Sequence, residues 1–313
     1  MARNNYTLIM RKLIPCLPMR AASYSLSCIL FAIILTACGG GGSGSSPLPQ
    51  SVPPTVPEQQ NSGYNALMIG HSFFRPFAAR VGELAIDAGF DEHRDTVVFA
   101  GGVNGTPLSF WEDTGPNNAA IKTALDQGDV DVFGMPGSSP ETGDIVNGYR
   151  QWIEYALENN PDIEVFIGVP WADFPANWEQ RAIDAGYETF IEAYEEAFHI
   201  GRIHHDLIDS LRAEFSTTNI YCIPYGLAAI ELKDLFDGGN LMDDLDFQGE
   251  SDALFTDAKG HAGDIIIQAG LLVWLNAIYG VDLSEHEHDT GFATDLHTLA
   301  ADIMARHDST YNR

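Results

Sequence analysis

Ser72 and His261 are the side chains whose surroundings best suit a covalent hydrolytic step. Ser72 ends a short apolar run, Asn65-Ala-Leu-Met-Ile-Gly-His-Ser-Phe-Phe74, and a helical pattern follows it. His261 opens a long apolar helical stretch in Asp257-Ala-Lys-Gly-His261-Ala-Gly-Asp-Ile-Ile-Ile. A serine hydroxyl needs a base to become nucleophilic, and a histidine acting as that base needs a third group to fix its tautomer. Ser72, His261 and Asp257 supply the three roles. A serine at a helix N-terminus also keeps its own backbone N–H free for a developing oxyanion. Each residue has a plainer reading: Ser72 as a helix N-cap, His261 as a surface residue ahead of a buried helix.

The elements that must position these groups alternate along the chain. Asn65 to Ile69, Thr96 to Ala100, Val130 to Met135, Ile163 to Val169 and Ile220 to Pro224 are apolar, largely β-branched or aromatic runs of strand length. Helical spacing marks Phe74 to Gly89, with Pro76 in its first turn, and then Asn117 to Gln127, Asp144 to Asn159, Ile183 to Phe215, Gly263 to Tyr279 and Phe292 to Met304. Strands alternating with helices predict an α/β fold: three layers, doubly wound, around a mostly parallel sheet of about five strands. Ligands gather at the carboxyl ends of such strands, where Gly70-His71-Ser72 lies.

The ends and the charge bound the setting. Residues 1–37 hold Arg3, Arg11, Lys12 and Arg20, then an apolar run from Ala21 to Ile34, and Leu35-Thr36-Ala37-Cys38 follows. That is the pattern of a secretory signal, and the tetrapeptide resembles a bacterial lipobox in which Cys38 carries the lipid. Gly39 provides no aspartate-type inner-membrane retention signal, so the expected location is a bacterial membrane, the outer one favoured, with the domain facing the periplasm or the outside. Residues 38–62 are rich in Gly, Ser and Pro and read as a tether; residues 63–313 fit one domain. Cys16 and Cys28 leave with the signal, so Cys222 is alone once Cys38 is modified and no internal disulfide forms. Removing the signal takes four basic residues and no acids from 16 Lys+Arg and 44 Asp+Glu, leaving 12 against 44 and a formal charge of −32. Such a surface argues against nucleic acid as a partner.

The chain has no Gly-x-Ser-x-Gly elbow, Walker loop or His-Glu-x-x-His. In its order of blocks it resembles the SGNH (GDSL-like) hydrolases, and among them the lipoprotein-type members. Gly70-His71-Ser72 stands where that family has Gly-Asp-Ser or Gly-Asn-Ser, Gly101-Gly-Val-Asn-Gly105-Thr-Pro-Leu-Ser-Phe-Trp111 looks like its second block, and Asp257 to His261 looks like its last. The resemblance implies a flavodoxin-like fold and hydrolysis or transfer of an ester-linked acyl group through an acyl-serine. Ser72 would be the nucleophile, His261 the base and Asp257 its orienter. The backbone N–H groups of Ser72 and Gly105 would serve the oxyanion, with Gly102 the second choice for the glycine. This chain departs from the family in three places. His71 replaces the acid or amide beside the serine, Asp-x-x-x-His is one residue longer than Asp-x-x-His, and Asp131 to Ser139 lacks the usual asparagine. Ser138, Ser139 and Asn104 are the substitutes at hand.

Other groups carry weaker signals. His199, His204 and His205 lie on a helical pattern at a spacing that does not pair ligands on one face, and read as surface; His286 and His288 sit in an acidic loop. Asp244 to Asp252 echoes a calcium loop, but Phe255 occupies the twelfth position. Trp171, Asp173, Phe174 and Trp178 follow the fourth strand and either pack or line a pocket with aromatic faces suited to sugars; His71, Trp171 and Asp173 are the pocket candidates. The expected activity is a metal- and cofactor-free serine esterase acting on an ester-bearing small molecule or glycan, such as one carrying O-acetyl groups. The rival is a surface lipoprotein that keeps the fold and binds a glycan or other ligand without chemistry.

Overall fold

Strands β1 (Asn65–Gly70), β2 (Arg94–Phe99), β3 (Val132–Pro136), β4 (Glu164–Gly168) and β5 (Ile220–Ile223) form one sheet in the order β2-β1-β3-β4-β5, every pair parallel. This is the flavodoxin-like doubly wound order. The structure, a computed structural model, describes residues 62–137, 145–198 and 200–313. The leader, Cys38, most of the spacer, Ser138, Ser139 and His199 lie outside the described residues.

Strands β1, β3 and β4 are buried almost throughout, as parallel strands covered on both faces must be. The edge strand β2 is mostly exposed. The other edge strand, β5, is fully buried, and the chain at Asp206–Glu214 and at the C-terminal turn Ser309–Tyr311 packs against it. Chain order reverses between β1 and β3, and Ser72 follows β1 directly at that switch point.

Helices α1 (Arg75–Ala78) and α2 (Val81–Asp87) occupy the span expected to hold one helix. The chain breaks at Ala79 and Arg80, which are exposed. Helix α3 (Pro107–Glu112) is capped by the Thr106 hydroxyl and is followed by α4 (Pro116–Leu125) and α5 (Ile145–Asn159). The long helix expected from Ile183 to Phe215 is not continuous. Helix α6 (Trp178–Ala185) stops at Gly186, whose φ of 92° lies in the left-handed region. A new N-cap at Thr189 starts α7 (Phe190–Ala193), wide π-type turns follow at Tyr194–Phe198 and Ile200–His205, and α8 (Asp206–Glu214) completes the segment.

The wide turns correct the histidine reading. His204 is fully buried and His205 half-buried, because π-type turns rotate the side chains away from the positions that a regular α-helix would give them.

Helix α9 (Gly226–Asp237) is not among the periodic segments of the sequence. Its buried residues Leu227 to Ile230 run consecutively, as in a helix enclosed on most sides. Helix α10 (Asp264–Tyr279) is enclosed in the same way, and α11 (Leu296–Arg306) packs on it.

An aromatic cluster joins these parts beneath the carboxyl ends of the strands. Phe74 and Phe77 from the chain after β1, Phe166 from β4, Tyr225 before α9 and Trp274 from α10 meet with ring centroids 4.6 to 6.1 Å apart. The segments carrying Ser72 and His261 thus rest on one rigid core. Among the described residues no helix is long and apolar enough to cross a membrane.

Candidate active site

The turn after β1 sets the serine. The His71 carbonyl accepts the backbone N–H groups of Phe74 (3.0 Å) and Arg75 (2.9 Å), turning the chain sharply into α1. Tyr225 donates its hydroxyl to the Phe73 carbonyl at 3.0 Å and ties this turn to the opposite side of the cluster. The first helix is capped without a side chain, so Ser72 is not an N-cap. Its hydroxyl points to His261: Ser72 Oγ and His261 Nε2 are 2.7 Å apart.

The second half of the site is a tight loop. The Gly260 N–H donates to the Asp257 carbonyl at 3.0 Å, closing a turn, and the Thr256 N–H donates to the His261 carbonyl at 2.8 Å. This turn absorbs the additional residue between Asp257 and His261. Gly260 has φ of 97°, and a Cβ there would lie 2.7 Å from Pro175 Cδ, so only glycine fits without strain. Asp257 Oδ1 accepts the N–H groups of Gly260 (2.9 Å) and His261 (3.2 Å), while Oδ2 lies 2.7 Å from His261 Nδ1.

The proton positions follow from this arrangement. A carboxylate only accepts, so Nδ1 carries the imidazole proton and Nε2 is left to accept from the Ser72 hydroxyl. Burial works against the Asp257 charge, but the hydrogen bonds from the His261 ring and from the two backbone N–H groups outweigh it and hold the carboxyl below its ordinary range.

Phe73 packs its ring on His261 (4.9 Å between centroids) and on Trp171 (5.0 Å), which steadies the imidazole plane. Trp171 donates its indole N–H to the Gly260 carbonyl at 2.7 Å. Its exposure is only 2 %, so Trp171 offers no open face for a sugar, and the pocket role considered from the sequence is corrected to support of the histidine loop. Trp178 is buried as well. Phe174, at φ 60° and 44 % exposed, is the aromatic of this group that reaches the surface. Its N–H donates to the Lys259 carbonyl at 2.9 Å. Asp173 is exposed and lies 3.9 Å from the Lys259 ammonium, which also sits over the Phe73 ring.

Trp171→Phe keeps the ring packing and removes one buried hydrogen bond. Unfolding in urea should show a loss of ~1 kcal/mol, and steady-state assays on a model ester should show kcat lower by roughly tenfold as the loop loosens.

The glycine block divides. Gly105 is buried against the serine turn, so close that a Cβ would meet His71 Cα at 2.8 Å. Gly102 faces open space and Asn104 is exposed. Of the oxyanion candidates, Gly105 is therefore the one that the fold brings beside Ser72. The Ser72 N–H has no hydrogen-bond partner among the described residues, which leaves it available to a ligand.

His71 is tied to backbone groups. Its Nδ1 accepts the Phe73 N–H at 3.3 Å, and a hydrogen bond ties the ring to the Gly137 backbone beyond β3. Burial, with the nearby charges of Lys259 and His261, lowers its pKa to about 4. Between the ordinary 6.5 and about 4 only the unfolded chain takes up this proton, so stability falls as pH falls through that window, by up to ~3 kcal/mol. Denaturant midpoints at pH 7 and pH 4.5 should therefore differ less for His71→Gln than for the parent chain. An unchanged difference would show that His71 titrates freely.

The sequence signals missed Phe73 and Lys259, and left Phe174 between packing and a pocket. An aromatic directly after the serine was visible, but its contact with the imidazole depends on a loop 188 positions further on.

No family model and no curated protein matches the sequence. Solved structures similar to this chain include a DUF4886 family protein from Bacteroides uniformis, at 17% identity and a TM-score of 0.45, covering 78% of this chain and 93% of that one. They also include a lipopolysaccharide acetyltransferase periplasmic domain from Salmonella ser. Paratyphi A (14% identity, TM-score 0.36, 54% and 69% covered). A third is a carbohydrate acetylesterase from Sinorhizobium meliloti (13% identity, TM-score 0.32, 77% and 99% covered).

Proposed function

We propose that this protein is a serine esterase of the SGNH type that hydrolyses a carboxylic ester through an acyl-serine. The observation that carries the reading is the unbroken line from Ser72 Oγ to His261 Nε2 and from Nδ1 to Asp257, both contacts at 2.7 Å. In the first half-reaction Ser72 Oγ attacks the ester carbonyl while His261 Nε2 takes its proton. The tetrahedral oxyanion is received by the N–H groups of Ser72 and Gly105. Collapse expels the alcohol, which leaves with the proton from His261. Water, deprotonated by the same nitrogen, then cleaves the acyl-serine to the carboxylic acid and restores the hydroxyl. Ester and water become acid and alcohol, with no change at the enzyme.

The site is open: Ser72 and His261 are half-exposed, which suits a small acyl group carried on a bulky alcohol. An O-acetylated glycan has that form, with Phe174, Lys259 and Asp173 on the rim towards the alcohol. Incubation with a fluorophosphonate probe and with p-nitrophenyl acetate tests the reading. Covalent labelling and turnover are expected; a folded chain that does neither leaves the ligand-binding lipoprotein as the better account.

The same reading places the domain on a membrane through lipid at Cys38, outside the cytoplasm. Cells fed radiolabelled palmitate should yield labelled protein from the parent gene and none from Cys38→Ala, whose product should move from the membrane to the soluble fraction. Equal labelling of both would remove the anchor.

A further inference from the structure

Three donor side chains from distant parts of the chain converge at the β5 edge of the sheet. His205 ends the second wide turn, Cys222 lies within β5, and His307 directly follows α11. One donor atom of each lies within 4.8 Å of the other two. Cys222 is fully buried and His307 only 8 % exposed, while His205 is half-buried.

These groups are not satisfied by the protein. The Nε2 atoms of His205 and His307 are buried and have no hydrogen-bond partner, and Cys222 is a free thiol. Buried polar atoms are normally paired, so two unpaired imidazole nitrogens beside a thiol need an account.

The surroundings hold the donors in place. The Tyr311 ring stacks on His205 at 3.6 Å and 5°. Arg212 donates to the carbonyls of Ile220 (2.6 Å) and Thr310 (2.7 Å), binding β5 to the C-terminal turn. The carboxylates of Asp206, Asp209 and Asp308 act on His205, and Asp308 also acts on His307; they offset the Arg212 charge and favour a cation. Two imidazoles and a thiolate suit a borderline ion such as zinc and not the hard, oxygen-seeking magnesium or calcium.

We propose that His205, Cys222 and His307 bind a zinc ion that ties the C-terminal segment to the outer strand of the sheet. The imidazoles bind through lone pairs of their neutral rings. Cys222 exchanges its S–H bond for an S–Zn bond and releases one proton to solvent. Zinc bond lengths draw tetrahedral donors to about 3.6 Å apart, closer than the 4.8 Å within which the three donor atoms lie without the ion. None of the three residues touches Ser72, Asp257 or His261 among the described contacts, so the ion is structural and separate from the esterase chemistry.

The test uses the full, untagged chain after chelator treatment. Titration with Zn²⁺ should reach one ion per chain and raise the melting temperature. Titration with Co²⁺ should produce a sulfur-to-metal charge-transfer band in the near ultraviolet. Cys222→Ala, a small apolar replacement suited to the buried strand, should abolish the band, and His205→Gln, at the more exposed donor, should weaken zinc binding at least tenfold. Fluorophosphonate labelling of Ser72 should be the same with and without the ion. Absence of stoichiometric binding, or binding equally tight in Cys222→Ala, overturns the site; the second result places the ion elsewhere, for example near His286, His288 and His297.

Discussion

Ser72→Ala is expected to lower kcat on a model ester by roughly 10⁵- to 10⁶-fold and to abolish fluorophosphonate labelling, with the folded state left intact. The hydroxyl lies 2.7 Å from His261 Nε2. In the variant that nitrogen takes solvent instead, because the imidazole is 30 % exposed, so the melting temperature should move little. The residual rate reports what the oxyanion donors and binding supply alone. A Ser72→Ala/His261→Ala double variant should be no slower than Ser72→Ala, since the two groups act as one unit. Undiminished labelling of Ser72→Ala would move the nucleophile to another residue.

The candidate site was legible where local sequence marks an element boundary. Gly70 ends an apolar strand pattern, and Gly263 precedes a long apolar helix, so Ser72 could be placed after a strand's carboxyl end and His261 at the start of a helix. Their meeting across 189 positions followed only from the doubly wound order, which puts β1 at the switch point and the start of α10 above the same aromatic cluster. The role of Asp257 was harder to read. A lengthened Asp-to-His spacing looks unfavourable as a string, but the turn at Gly260 shortens it in space, and that turn needs glycine because φ is positive there and Pro175 packs close.

What could not be read was the direction of individual side chains. Trp171 and Phe174 are both aromatics after β4, yet one is buried and the other open, because Phe174 adopts a left-handed backbone conformation that no local pattern announces. The buried His204 escaped because helical periodicity presumes a regular α-helix, whereas the backbone at Tyr194–Phe198 and at Ile200–His205 is wound more widely. His71 stood out as a departure from the motif of the hydrolases that the sequence resembles. Its place became clear only with the fold: the ring braces the serine turn against Gly137, and its backbone carbonyl caps the turn into α1.

Asp257→Asn separates orientation of the histidine from its mere presence. The side-chain oxygen of asparagine can keep the bonds from the Gly260 and His261 N–H groups, which hold Oδ1 in the parent chain. That choice turns the amide NH₂ toward Nδ1, where Oδ2 now accepts at 2.7 Å. Two donors cannot face each other, so Nδ1 gives up its proton and the imidazole carries it on Nε2. Nε2–H then points at the Ser72 oxygen and cannot take a proton from it. The expected result is a fall in kcat of about 10⁴-fold with KM nearly unchanged, because the carbonyl-binding groups stay in place. In near-neutral buffer the variant should be modestly less stable than the parent, because it lacks the stabilising carboxylate. Acid stability should respond in a defined direction: the parent carboxyl titrates below its ordinary range, so its contribution is present above the unfolded pKa and fades as pH falls through the folded one. The variant has no such group and should lose less stability over that acid range. A variant with near-parental kcat would assign the tautomer of His261 to some other acceptor and reduce Asp257 to the residue that closes the turn.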